Sequence, residues 1–243
     1  MENIEIQELP KVAEISTDAR VAFYRKTYTH LALAVLLFIL VEMVFFQIPV
    51  LLEFALSLTQ GWTWLLLLGG FMWVTNYAEK MAMNSHDKNK QYVALLLFVI
   101  AEAFIFIPLL LMAIVYAGDG SFDLVNQAAI LTLALFIGLS AVVLLTKKDF
   151  SFLRSILAIT GFIAIGLIVA GTLFGFNLGL WFSVGMILLA AGTILYQTSN
   201  MVHKYSEDQY VAASLGLFGS LMLLFWYLLS ILSSCLLYTS PSP

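Results

Sequence analysis

The sequence has one cysteine, three histidines and five prolines in 243 residues, and only 11% of its residues are charged. A single thiol excludes an internal disulfide framework and any cysteine-rich metal cage. His30, His86 and His203 are scattered outside any metal-ligand spacing, so no cofactor is expected and no metal site is assigned. Cations are too few for a phosphate-binding face, and the net charge of -4 argues against nucleic acid as a partner. Enzyme motifs are missing as well. There is no phosphate-binding glycine loop, no His-Glu-x-x-His and no Gly-x-Ser-x-Gly elbow, so the chain is not read as an enzyme.

What is present is apolar. Hydrophobic residues make up 62% of the chain, and the mean hydropathy is +0.98. A 27.0 kDa fold exposes too much surface to hide that content in one core, so lipid must be the solvent for much of it. A helix crosses the hydrocarbon layer with about 20 mostly apolar residues. Seven such runs occur, near residues 28–51, 62–77, 92–116, 125–145, 152–173, 178–196 and 210–232. The second is short and has Gly69-Gly70 at its centre. No aspartate lies inside any of them, which leaves an intramembrane aspartyl protease without its pair.

The eleven Lys and Arg residues set the orientation, because cytoplasmic loops retain positive charge. Lys11, Arg20, Arg25 and Lys26 precede the first run. Lys80, Lys88 and Lys90 follow the second, Lys147, Lys148 and Arg154 the fourth, and Lys204 the sixth. The alternate loops carry only acids, Glu53, Asp119 and Asp123. The expected fold is therefore an all-α integral membrane protein, a seven-transmembrane-helix bundle with its N-terminus in the cytoplasm. Residues 1–20, with Glu2, Glu5, Glu8, Glu14 and Asp18, are expected to form a polar acidic cytoplasmic tail, and residues 21–232 the membrane domain. Residues 233–243 read unlike the rest and are expected to be a non-native or disordered tail. In the last run Ala212, Gly216 and Ser220 recur at helical spacing, a small-residue stripe that lets helix backbones approach closely in lipid. That helix is expected to be surrounded by the others.

Two carboxyl groups stand where lipid disfavours them. Glu102 lies about 15 Å beyond Tyr92 along the third run, near the bilayer midplane. Glu42 falls in the outer half of the first. Apart from Arg154 at the very start of the fifth run, no Lys or Arg lies in any run, so each carboxyl must be protonated, hydrated by a cavity or hydrogen-bonded. A group of that kind marks a candidate proton or cation pathway, the alternative being a protonated glutamate that bonds helices together. Gln197 and Ser220 are lesser candidates in the sixth and seventh runs, and Asn76, Asn200 and His30 read as structural or solvated groups.

Three local patterns resemble one family. Gly138-Leu139-Ser140 followed by Thr146-Lys147-Lys148-Asp149-Phe150-Ser151-Phe152-Leu153 is similar to the signature joining helices four and five of the Bax inhibitor-1 (transmembrane Bax-inhibitor-motif) family. Glu102 with Pro108 resembles that family's third helix, and Ile194 to His203 with Tyr210 onward its last hairpin. The resemblance implies a seven-helix bundle with the last helix enclosed by the first six, and a passive, pH-sensitive calcium or other cation leak closed by an aspartate pair on helices six and seven. Here those positions are Gln197 and Ser220, which cannot ionise, so a diaspartyl latch cannot gate this chain. Serine at the second position resembles the bacterial YccA-like branch. That likeness implies a multi-pass protein of the bacterial inner membrane, a stress-related regulator, and a non-conducting alternative in which it modulates a membrane protease such as FtsH. The pathway candidates are thus Glu102, Glu42, Gln197 and Ser220, and the expected partners are the bilayer, a cation and that protease.

Overall fold

In lipid a backbone must satisfy its own hydrogen bonds, which apolar runs of this length achieve as helices. Every named element of the computed structural model is α-helical. The structure describes residues 11–85, 87–116 and 121–239, so Glu2, Glu5, Glu8, His86, Asp119 and residues 240–243 lie outside the described residues. The helices are α1 (Thr17–Phe45), α2 (Pro49–Ser57), α3 (Thr63–Met83), α4 (Lys88–Tyr116), α5 (Asp123–Thr146), α6 (Leu153–Phe174), α7 (Gly179–His203) and α8 (Tyr210–Thr239).

The count differs from the seven expected: eight helices occur among the described residues, and six of them are long and apolar enough to cross a membrane. The first expected run breaks before Pro49, which lacks a backbone donor and disfavours helical geometry in the residue ahead of it. Ile48 is accordingly extended (φ -112°, ψ 90°), and Pro49 starts α2, a short helix packed on α4. The other departure is α3, which is not among the six. Asn76, Glu79 and Lys80 near its end and Gly69-Gly70 at its centre dilute its apolar content. At the opposite terminus α8 runs past residue 232 to Thr239.

Helix α8 packs against α1, α3, α4, α5 and α7, and its Leu215, Leu217, Phe218, Leu224 and Leu229 are fully buried. It is the core of the bundle. Helix α6 packs chiefly on α7, which corrects the expectation that all the other helices enclose α8. The outer faces present bare hydrocarbon, with Phe162 77% exposed on α6.

Ring pairs fix the relative direction of three helices. His30 lies 5.0 Å from Tyr210 and 5.7 Å from Tyr92 between ring centroids, and its Nε2 is 2.9 Å from the Tyr92 hydroxyl. Further along, Phe38 lies 5.3 Å from Phe106, and Phe106 stacks on Phe225 at 5.6 Å. Helices α1, α4 and α8 therefore run the same way. Lys26 and Lys88 sit over the Tyr210 ring at 5.4 and 5.3 Å, which places their ammonium groups at the starting end of these helices.

Two further contacts gather chain ends at that same end. Gln209 donates its Nε2 to Met83 O (2.9 Å), joining the end of α3 to the start of α8. Ahead of α1, the Val12 amide donates to Tyr205 O at 2.9 Å, and the Arg20 guanidinium donates to the carbonyls of Val12, Ala13 and Ile15. Residues 11–16 are thus a docked strap across the α7–α8 loop. The α5–α6 loop closes the end, because Phe150 N donates to Ser199 Oγ (2.9 Å), and Ser199 Oγ donates to Asp149 Oδ1 (3.3 Å). Ser151 donates both its hydroxyl and its amide to that carboxylate and holds it below the ordinary aspartate range. All the segments that carry Lys or Arg meet at this end.

Candidate functional site

Small residues on α8 make room for the polar groups of its neighbours. A Cβ at Gly216 would lie 3.0 Å from Gln197 Oε1 and 3.1 Å from its Cδ, so the Gln197 amide lies flat against the α8 backbone. A Cβ at Gly219 would meet the Phe98 ring at 2.9 Å, and that contact draws α4 equally close. The small-residue stripe thus brings α4 and α7 close against one face of α8, as expected of such stripes.

Between α3, α4, α7 and α8 lies a cavity of about 360 Å³. Glu102, Gln197 and Ser220 all line it, so three of the four pathway candidates share one space. Glu102 is only 6% exposed and has no hydrogen-bond partner among the described residues. Ser220 Oγ donates to Gly216 O at 2.9 Å, a bond within its own helix that leaves it unconnected to Gln197. Gln197 and Ser220 therefore face one cavity without joining to each other. No Lys or Arg is among the lining residues.

Register along the helices orders these groups. With a rise of about 1.5 Å per residue, Glu102 and Ser220 each lie about 15 Å in from Tyr92 and Tyr210, and Gln197 lies about 9 Å in from His203. One carboxylate was not legible in the sequence. Glu79 on α3 lines the same cavity, about 6 Å in from Met83, beyond the Tyr77 where the second apolar run stops. Thr75, one turn earlier on the same face and also in the lining, was the available signal. The Glu79 carboxylate and, above all, burial push the phenol of Tyr205 in the α7–α8 loop well above its ordinary range.

Glu42 goes elsewhere. It stands in the last turn of α1 and lines a second cavity of about 530 Å³ among α1, α4, α5 and α8. It too is 6% exposed, and neither carboxyl oxygen has a hydrogen-bond partner. Asn126, Gln47 and Thr132 are the other polar lining groups, and this cavity reaches Phe46 and Phe122, where α1 ends and α5 begins. The two glutamates therefore do not converge on one site. Among the described residues no three His, Cys, Asp or Glu side chains gather closely enough to hold a metal ion. Asn200 is helical and buried with its Oδ1 unpartnered, and Asn76 donates to Met72 O (2.7 Å) within α3.

The model of the family described as inhibitor of apoptosis-promoting Bax1 matches residues 20–235, which takes in every residue of both cavities. The chain belongs to this Bax inhibitor family. The Golgi anti-apoptotic protein of vaccinia virus is 30% identical over 226 residues, 91% of this chain and 89% of that protein. "Modulator of FtsH protease YccA" of Escherichia coli is 38% identical over 119 residues, 48% of this chain and 53% of that protein. An uncharacterized protein of Pseudomonas aeruginosa is 36% identical over 125 residues, 51% of this chain and 55% of that relative. These bacterial matches cover about half of each protein and support the YccA-like branch. The relatives' names describe inhibitors and modulators rather than enzymes.

Proposed function

We propose that this Bax inhibitor family protein is a seven-span bundle of the bacterial inner membrane that gives cations, calcium among them, a passive pathway. Helix α3 counts as the seventh span, since Trp64 near its start stacks on Trp226 at 6.3 Å, about 24 Å along α8 from Tyr210, while its other end reaches Gln209. The gathering of all eleven Lys and Arg residues in segments at one end supports a cytoplasmic N-terminus.

One observation carries the reading: Glu102 is an unpaired carboxyl at mid-depth that opens on a cavity instead of a counter-charge. A volume of about 360 Å³ holds roughly ten waters. Glu79, Gln197, Ser220 and Glu102 offer oxygen atoms in steps from the cytoplasmic end inward, the ligand type that calcium favours. With Gln197 and Ser220 in place of ionisable groups, flux varies less with pH than in family members that keep an aspartate pair at these positions. In proteoliposomes, Glu102→Gln abolishes calcium entry reported by an internal dye. Wild-type flux from the folded variant would remove Glu102 from the pathway.

A second reading is favoured by the name of the Escherichia coli relative, which describes a modulator of a membrane protease. In it, the acidic N-terminal segment engages such a protease. Val12 and Arg20 hold the fold together, so the informative deletion removes residues 1–10 and spares the strap. Loss of FtsH from a pull-down with unchanged flux would assign the tail to the partner. Full recovery of FtsH would leave the tail without that role.

A further inference from the structure

The two cavities share a wall. Met222 on α8 is the one side chain that lines both of them among the described residues. Around it, Phe38 and Phe225 face the cavity of Glu42, and Phe106 faces that of Glu102. The rings interlock: Phe106 stacks on Phe225 with planes 7° apart and meets Phe38 edge-on at 82°. Each glutamate stands one helical turn from a ring of this wall, Glu42 from Phe38 and Glu102 from Phe106. One cavity reaches Glu79 and Gln197 toward the end where the cationic segments meet. The other reaches Gln47 and Asn126 toward the opposite end of α1.

We propose that Met222 is the permeation barrier of this protein, the side chain that separates the cavity holding Glu102 from the one holding Glu42. The inference rests on the cation-pathway reading above and assigns a role to the Glu42 cavity, which that reading leaves unused. An apolar constriction between two polar-tipped cavities blocks ions by excluding water. Methionine suits the place because its unbranched thioether changes rotamer more easily than a β-branched or aromatic side chain. The phenylalanines make the frame, and Met222 is the part that can swing. A cation then passes from the Glu79 and Glu102 side to the Glu42 side with a carboxyl waiting one turn from the wall on either face.

Calcium and potassium entry into proteoliposomes tests this with the full-length chain. Met222→Ala opens the wall and raises the basal leak severalfold, whereas Met222→Phe lowers it. In a Cys235→Ser background, Met222→Cys becomes sensitive to a bulky methanethiosulfonate reagent, which returns the leak to its closed level. That variant also serves if alanine fails to fold. A wild-type protein that conducts, with Met222→Ala leaking at the wild-type rate and Met222→Cys indifferent to the reagent, overturns the barrier while sparing the pathway. No flux from the wild type or from any folded Met222 variant overturns both.

Discussion

Phe106→Ala is expected to destabilise the bundle by about 3 kcal/mol, the lower end of the range for removing a buried phenylalanine ring. Phe106 is 1% exposed and is the hub of the aromatic wall, packed on Phe38, Phe225 and, at 5.0 Å edge-on, Trp226. In lipid the unfolded reference is also apolar, so most of this effect comes from lost dispersion and an unfilled void rather than from transfer out of water. Three rings lose their partner at once, and helices α1 and α8 lose the side chain that links them through α4. Reversible unfolding in detergent micelles measures the effect. The control is Phe162→Ala on the outer face of α6, where the ring is 77% exposed and its loss changes stability by less than about 0.5 kcal/mol. Equal effects at the two positions would mean that the ring stack is not a packed unit.

The architecture was legible where it depends on composition and charge. Lipid leaves the backbone almost no choice but helix, and the eleven cations cluster in segments that the structure gathers at one end of the bundle. The centrality of α8 was legible too, because Gly216 and Gly219 allow an approach that larger residues forbid. What stayed hidden is what depends on rotation about helix axes. Glu42 and Glu102 look alike in the sequence, each a lone carboxyl in an apolar run. Whether they meet depends on which side of α8 each helix presents, and α1 and α4 present them to different cavities. Glu79 was hidden by a boundary: it follows the end of an apolar run, yet α3 continues and turns it into the cavity. The strap at Val12 was hidden because a few residues of mixed polarity carry no period. The carbonyl of Tyr205 and the guanidinium of Arg20 give them a place.

That strap makes the second large prediction. Val12 is 0% exposed beneath the α7–α8 loop, next to Tyr205, and Glu79 is close enough to Tyr205 to disfavour a negative charge there. Val12→Asp puts a carboxylate into that fully buried place, where the Arg20 guanidinium already donates to three backbone carbonyls. An uncompensated buried charge of this kind costs about 3 kcal/mol or more at neutral pH. The sign of its pH dependence follows from the same burial. The folded state favours the protonated acid, so the new group binds its proton more tightly folded than unfolded. Stability then falls as pH rises above the unfolded value of about 3.9, and the variant recovers much of the loss when pH is lowered from 8 toward 4. Val12→Thr, which keeps the shape without the charge, shows a smaller loss and no such slope. Hydrogen exchange at the residue 12 amide supplies the local readout, since its bond to Tyr205 O breaks when the strap lifts. Val12→Asp melting like the wild type at pH 8, with that amide still protected, would mean the strap accommodates a charge and is not sealed against the bundle.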